Sequence, residues 1–321
     1  MRYLTKTNIL SCIICVSVMG CAQKEIVFDD GSPRVVSVVF DWDNAAEAEV
    51  EGMTVFFYPI SEGSRVWKYD IRKNGGKVEL PVGCYRMIAV NNDLTAISFS
   101  NIYSFDDFQA NVKRSDDLIP PTGMLYGGTI PELDVTQCGI SYLTNDGIRK
   151  DSEEGILVCG PDTLSTVYNV EVVGIEGFER VTKLSSSLSG LPSDLRVVDE
   201  SPLGIPSTTS FDMTLISEEK MEFKGFTTGF YNSSADNTYR LTLYASMTDR
   251  KTYSKSFDVT SQVINGRNPH DVYITVKDVV FPGSEDPSGP DDPDDDDIGL
   301  SVGVEGWNVV EIDYDTSKSM F

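Results

Sequence analysis

The chain of 321 residues carries 26 lysines and arginines against 50 aspartates and glutamates, a formal net charge of −24, and 40% of it is apolar. That apolar share supports a packed core, so a wholly disordered chain is excluded, and the length suits about two domains. The acidic excess argues against nucleic-acid partners, which need basic patches, and the single histidine, His270, leaves no His-rich metal site.

In chain order, Arg2 and Lys6 give a basic start, and residues 9–20 carry no charge. This apolar stretch is too short to span a bilayer, which takes about 20 residues, but it suits a signal peptide. It ends in Val18-Met19-Gly20-Cys21, the order of a bacterial lipobox, so residues 1–20 read as a signal and Cys21 as the acylated residue. Acyl chains on Cys21 would then hold the protein on a membrane, with residues 21–33 as a tether.

Beyond the tether the chain reads mostly as strands and turns. Val36, Val38, Phe40 and Trp42 alternate with their neighbours at period two, and Met53 to Tyr58 repeats the pattern until Pro59. Lys77–Leu80 comes after Gly75-Gly76, and Cys84–Val90 after Pro81-Val82-Gly83. A second series comprises Val167–Val173, Phe211–Leu215, Tyr239–Ala245 and Val272–Val276. Between them, Leu184, Leu188 and Leu191 lie at helical spacing, so Val181–Leu191 is a candidate short helix ended by Ser-Gly-Leu-Pro. Short strands punctuated by Gly, Pro and Asn predict an all-β fold of sandwiches. The expected division is a domain over 34–160 and another over 163–314, joined by a polar linker at 153–162.

With the signal removed and Cys21 acylated, Cys84, Cys138 and Cys159 remain. An odd number permits at most one disulfide. A hairpin of residues 140–143 with 156–158 would bring Cys138 and Cys159 together; buried thiols acting as small apolar groups are the alternative. Residues 285–297 then hold eight acids and no base. An extended, solvated acidic linker over 283–297 interrupts the second domain on this reading. It leads to Leu300, Val302, Val304, Trp307 and Val309, a strand-forming segment on a tether. That segment would complete the second domain of its own chain or dock on a neighbour.

Candidate sites are few. The aspartate run has Asp297 where a calcium loop needs glycine. Neither a metal nor a cofactor is expected, no catalytic residue is assigned, and the chain does not read as an enzyme. Trp67, between Arg65 and Lys68, is the best ligand candidate, whereas Trp42 and Trp307 sit in strand-like patterns that suit a core.

The lipobox, Val36–Trp42, Gly52–Pro59, Leu80–Arg86, Asn91-Asn92-Asp93, and the stretches Asp258–Thr260, Asn268-Pro269, Val272–Val276 and Gly306–Val309 together resemble the fimbrillin-like lipoproteins of Bacteroidales. The resemblance implies two tandem transthyretin-like β-sandwiches on a lipid-anchored protein of the outer membrane, at the cell surface. It also implies fimbrial subunits as partners, with assembly by β-strand exchange. Stalk subunits of that family are cut after an arginine that frees them from lipid and opens a groove. Arg34 reads as lying just before the first strand, so a cut there would release lipid and keep the strand. That favours an anchor or accessory subunit; a surface glycan-binding or adhesion lipoprotein is the alternative.

Overall fold

The computed structural model describes residues 33–61, 63, 65–217, 220–224, 230–231, 234, 237–282 and 307–310. The first half forms β1 (Arg34–Phe40), β2 (Gly52–Pro59), β3 (Trp67–Arg72), β4 (Gly75–Leu80), β5 (Gly83–Asn91), β6 (Ile97–Ser100), β7 (Gln109–Val112), β8 (Tyr126–Thr136), β9 (Gly139–Leu143), β10 (Arg149–Ser152), β11 (Ile156–Cys159) and β12 (Asp162–Thr163). The second half forms β13 (Val167–Glu176), β14 (Val181–Arg196), β15 (Ser201–Asp212), β16 (Thr214–Ser217), β17 (Lys220–Lys224), β18 (Arg240–Met247), β19 (Thr252–Asp258), α1 (Thr260–Ile264), β20 (Asp271–Val280) and β21 (Asn308–Val310). The fold is all-β, as the alternating patterns predict.

A ten-stranded sheet runs β10-β9-β8-β5-β2-β3-β4-β1-β11, with β12 added to β8. It curls until β11 lies against β8 and β9, closing a core of Val36, Val38, Met53, Val55, Phe57, Met87, Ile130, Leu133 and Leu157. The second half is a sandwich: a seven-stranded sheet, β21-β19-β18-β14-β7-β6 with β15 beside β14, faces the four-stranded sheet β16-β17-β13-β20. Val170, Val172, Ile274 and Val276 meet Leu188, Leu241, Leu243 and Ala245 between them.

Hairpin β6–β7 belongs to the first half in sequence but pairs with β14 through Gln109–Asn111. It covers the outer face of β2 and β5, where Phe56, Tyr58, Ile88 and Val90 join the second core. Phe108 packs edge-on to Phe56 at 5.1 Å, and Phe105 to Tyr58 at 5.7 Å. That explains why nearly every residue of β2 is buried: odd positions face one core and Phe56 and Tyr58 the other.

Several expectations are corrected. Val181–Leu191 is not helical but belongs to the sixteen-residue strand β14. Leu184 and Leu188 share one face at period two, then Gly190 (φ 93°) forms a bulge that returns Leu191 and Leu195 to it. One inserted residue thus imitates helical spacing. Residues 140–143 and 156–158 do not form a hairpin, because β9 pairs with β8 and β10 while β11 runs parallel to β1. Cys138 is exposed at the β8–β9 turn, Cys159 is buried in the first core, and both are free thiols. The stretch read as a polar linker, 153–162, contains β11. Arg34 does not precede the first strand but begins it, opposite Leu80 of β4. The alternation over Phe211–Leu215 is split at Met213 between β15 and β16.

Candidate functional site

The expected strand-docking segment is described from Trp307 to Val310; Leu300, Val302 and Val304 lie outside the described residues, as does Cys21. Its receiver is β19, whose alternation buries Tyr253 and packs Phe257 against the second core. One edge of β19 is held by β18 from Thr252 to Asp258, leaving the other for β21. There Thr252 faces Val310, Tyr253 faces Val309 and Ser254 faces Asn308, antiparallel. An unpaired strand edge carries a row of backbone donors and acceptors, and an added strand satisfies them.

Trp307, 0% exposed, fixes that register. Its indole Nε1 donates to the Val280 carbonyl at 2.8 Å, and its ring lies 5.2 Å from that of Phe281. Phe281 is held in turn by its backbone N–H on the Glu176 carbonyl at 2.8 Å and by Phe178 at 5.9 Å. The Lys255 ammonium of β19 sits 5.9 Å over the indole. One side chain therefore ties β21 to the ends of β13 and β20 as well as to β19.

Trp67 lies on β3 with its ring packed against the first core, and the Arg65 guanidinium sits 5.4 Å above it. Trp42 also packs on that core, its Nε1 donating to the Lys73 carbonyl at 3.0 Å. Neither β19 nor the exposed Tyr103 was singled out by the sequence; the alternation of Tyr253 and Phe257 was the signal available for β19.

A cavity of about 460 Å³ opens between the halves, with Asp41, Asp146, Asp162, Glu200 and Lys150 in its lining. Burial raises the Glu200 carboxyl, opposed by His270, whose Nε2 is 3.9 Å away. Among the described residues no group of three or more His, Cys, Asp or Glu side chains could hold a metal ion. Burial pushes the Cys159 thiol up to about 12, while Cys84 is raised by its hydrogen bond with Asp134.

Residues 20–212 match the family described as Domain of unknown function (DUF5119). The chain belongs to that family. It is also 26% identical over 173 residues to a Bacteroides ovatus protein whose name designates a fimbrium anchoring subunit, Fim4B. That match takes in 54% of this chain but 42% of the relative, so the chain spans less than half the relative's length. In fold, the DUF5119 protein is similar to an adhesin candidate from Bacteroides ovatus, with TM-score 0.59 and 20% identity over 83% of this chain and 99% of the other. A second adhesin candidate from that species gives TM-score 0.51 and 11% identity over 77% and 87%. The resemblance to fimbrillin-like proteins read from the motifs holds.

Proposed function

We propose that this DUF5119 protein is a surface subunit that anchors or modulates a fimbrium by exchanging β-strands, held to the outer membrane through lipid on Cys21. In this reading its two domains, 34–160 and 163–314, are transthyretin-like variants joined by hairpin β6–β7 of the first, which adds to a sheet of the second, and its partners are other fimbrial subunits. The observation that carries it is the Trp307–Val310 segment: a buried anchor residue followed by a short strand, laid on the open edge of β19. A strand that seats on its own sheet presents the same hydrogen-bond register to the same edge on a neighbour. The likeness to a protein named as a fimbrium anchoring subunit supports the role. The engagement of Arg34 within β1 supports retention of the lipid, because its guanidinium donates to the carbonyls of Gln137 and Glu153.

Mixing two single variants tests exchange. Ser254 and Asn308 face each other across β19 and β21. Chains carrying Ser254→Cys and chains carrying Asn308→Cys, mixed under mild oxidation at membrane density, should form 254–308 cross-linked heterodimers. Absence of that cross-link, with unchanged fimbrial assembly after deletion of residues 298–321, rejects exchange.

A further inference from the structure

On the outer face of β2 and β3, about 380 Å³ of open groove is bounded by Phe56, Arg65, Val66, Lys68, Ile102 and Tyr103. That volume lies in the range of small-ligand pockets, about 300–1,000 Å³. Its floor is apolar: Phe56 is core, and Val66 and Ile102 pack against the same cluster. Its rim is cationic, in a chain whose formal charge is −24. Arg65 stacks over Trp67 and Lys68 lies 5.9 Å over Phe56; neither makes a salt bridge with a described residue.

Opposite them Tyr103 is 81% exposed, carried on a backbone turn that is itself held. Asn101 takes a left-handed conformation (φ 52°), and the turn is closed by the Ser104 N–H on the Asn101 carbonyl at 2.9 Å. The neighbouring Ile102 carbonyl accepts from the buried Tyr58 hydroxyl at 3.1 Å. The sequence thus places an aromatic face, an apolar floor and two cations around one space.

We infer that this groove binds a carboxylated sugar residue, a hexuronic acid of a polysaccharide. The C–H face of the pyranose lies on Tyr103, and its carboxylate takes a charge-assisted hydrogen bond from Lys68, with the charge of Arg65 adding to the attraction at the rim. A polyphosphate is disfavoured, since it has no C–H face to lie on Tyr103 and nothing apolar to cover Phe56, Val66 and Ile102. This site is separate from the β19 edge and does not depend on strand exchange.

The test is calorimetric titration of the full chain with trigalacturonate and with its methyl ester at low ionic strength. The acid should bind and the ester about tenfold more weakly, the value of one lost ionic hydrogen bond. Lys68→Glu and Arg65→Glu should each weaken the acid about tenfold or more, and Tyr103→Ala a few-fold, with Tyr103→Phe close to the parent. The three side chains changed here are on the surface, so thermal melts of the variants should match the parent. No binding of trigalacturonate, equal affinity for the ester, or binding unchanged by Lys68→Glu and Tyr103→Ala overturns the inference. Preference for an acidic peptide over the sugar also overturns it. Failure here leaves the 254–308 cross-link untouched, so the two results separate.

Discussion

Replacing Trp307 with alanine is the most direct test of how the last strand is held. A fully buried tryptophan removes about 200 Å² from water, which at about 25 cal/mol per Å² is at most about 5 kcal/mol. The indole also satisfies the Val280 carbonyl, worth about 1 kcal/mol net. Against this, ordering the four residues 307–310 costs about 1–2 kcal/mol each in backbone freedom. These two terms nearly cancel, so the backbone bonds of β21 to β19 supply the net hold of about 2–3 kcal/mol, and Trp307 is the largest single favourable contribution. Trp307→Ala should therefore release β21 and cost about 2–4 kcal/mol, less than the full cavity of a core tryptophan. Deleting residues 307–321 should cost the same within about 1 kcal/mol, since both end in an empty β19 edge. Urea denaturation gives the first comparison. Hydrogen exchange gives the second, with amides on the outer edge of β19 losing protection while those paired with β18 keep it. A loss under about 1 kcal/mol with β19 still protected would refute the reasoning.

Three further outcomes concern other elements. Gly190→Ala should lose more than about 2 kcal/mol in urea melts, since φ is 93° and a Cβ there would lie 2.3 Å from the Thr238 carbonyl oxygen. At pH 8 a maleimide should label Cys138 fastest, Cys84 more slowly and Cys159 only on unfolding. Raising the pH increases the thiolate and so speeds Cys84, whereas Cys159, at about 12, stays inert to pH 10; mass spectrometry reads all three. Limited trypsinolysis should cut at the exposed Arg65 before Arg34, whose side chain and backbone are both engaged in the sheet; terminal sequencing of the first fragments showing residue 35 would contradict this.

What could be read from the residues alone was the local periodicity. β1, β5, β13, β18 and β20 each show an alternating or β-branched run that their burial repeats. β8 could not be read that way, because Gly127, Gly128 and Pro131 all argue against a strand. Pro131 is tolerated where the ladder slips between Tyr85 and Met87, and a Cβ at Gly128 would lie 2.7 Å from the Cys159 sulfur. β14 was hidden by its own bulge. The parallel pairing of β1 with β11 joins segments more than a hundred residues apart, and nothing in either segment specifies that neighbour. As for the candidate site, Val309 falls in a strand as its pattern predicts, next to Trp307, but the edge that receives it was not legible. Edges are properties of sheet order, which periodicity does not encode. Tyr103 escaped for a related reason: one aromatic in a loop gains meaning only beside Lys68 on β3 and Arg65 just before it.

The double-faced strands β2 and β5 have a thermodynamic consequence. Because Phe57 and Met87 back one interior while Phe56 and Ile88 back the other, neither half can melt without stripping a wall from its neighbour. A scanning calorimeter should accordingly record a single peak, with equal calorimetric and van't Hoff enthalpies, from a chain long enough for two. Expressing either half alone would leave an aromatic surface facing solvent, so the smallest piece that behaves well in solution is the pair.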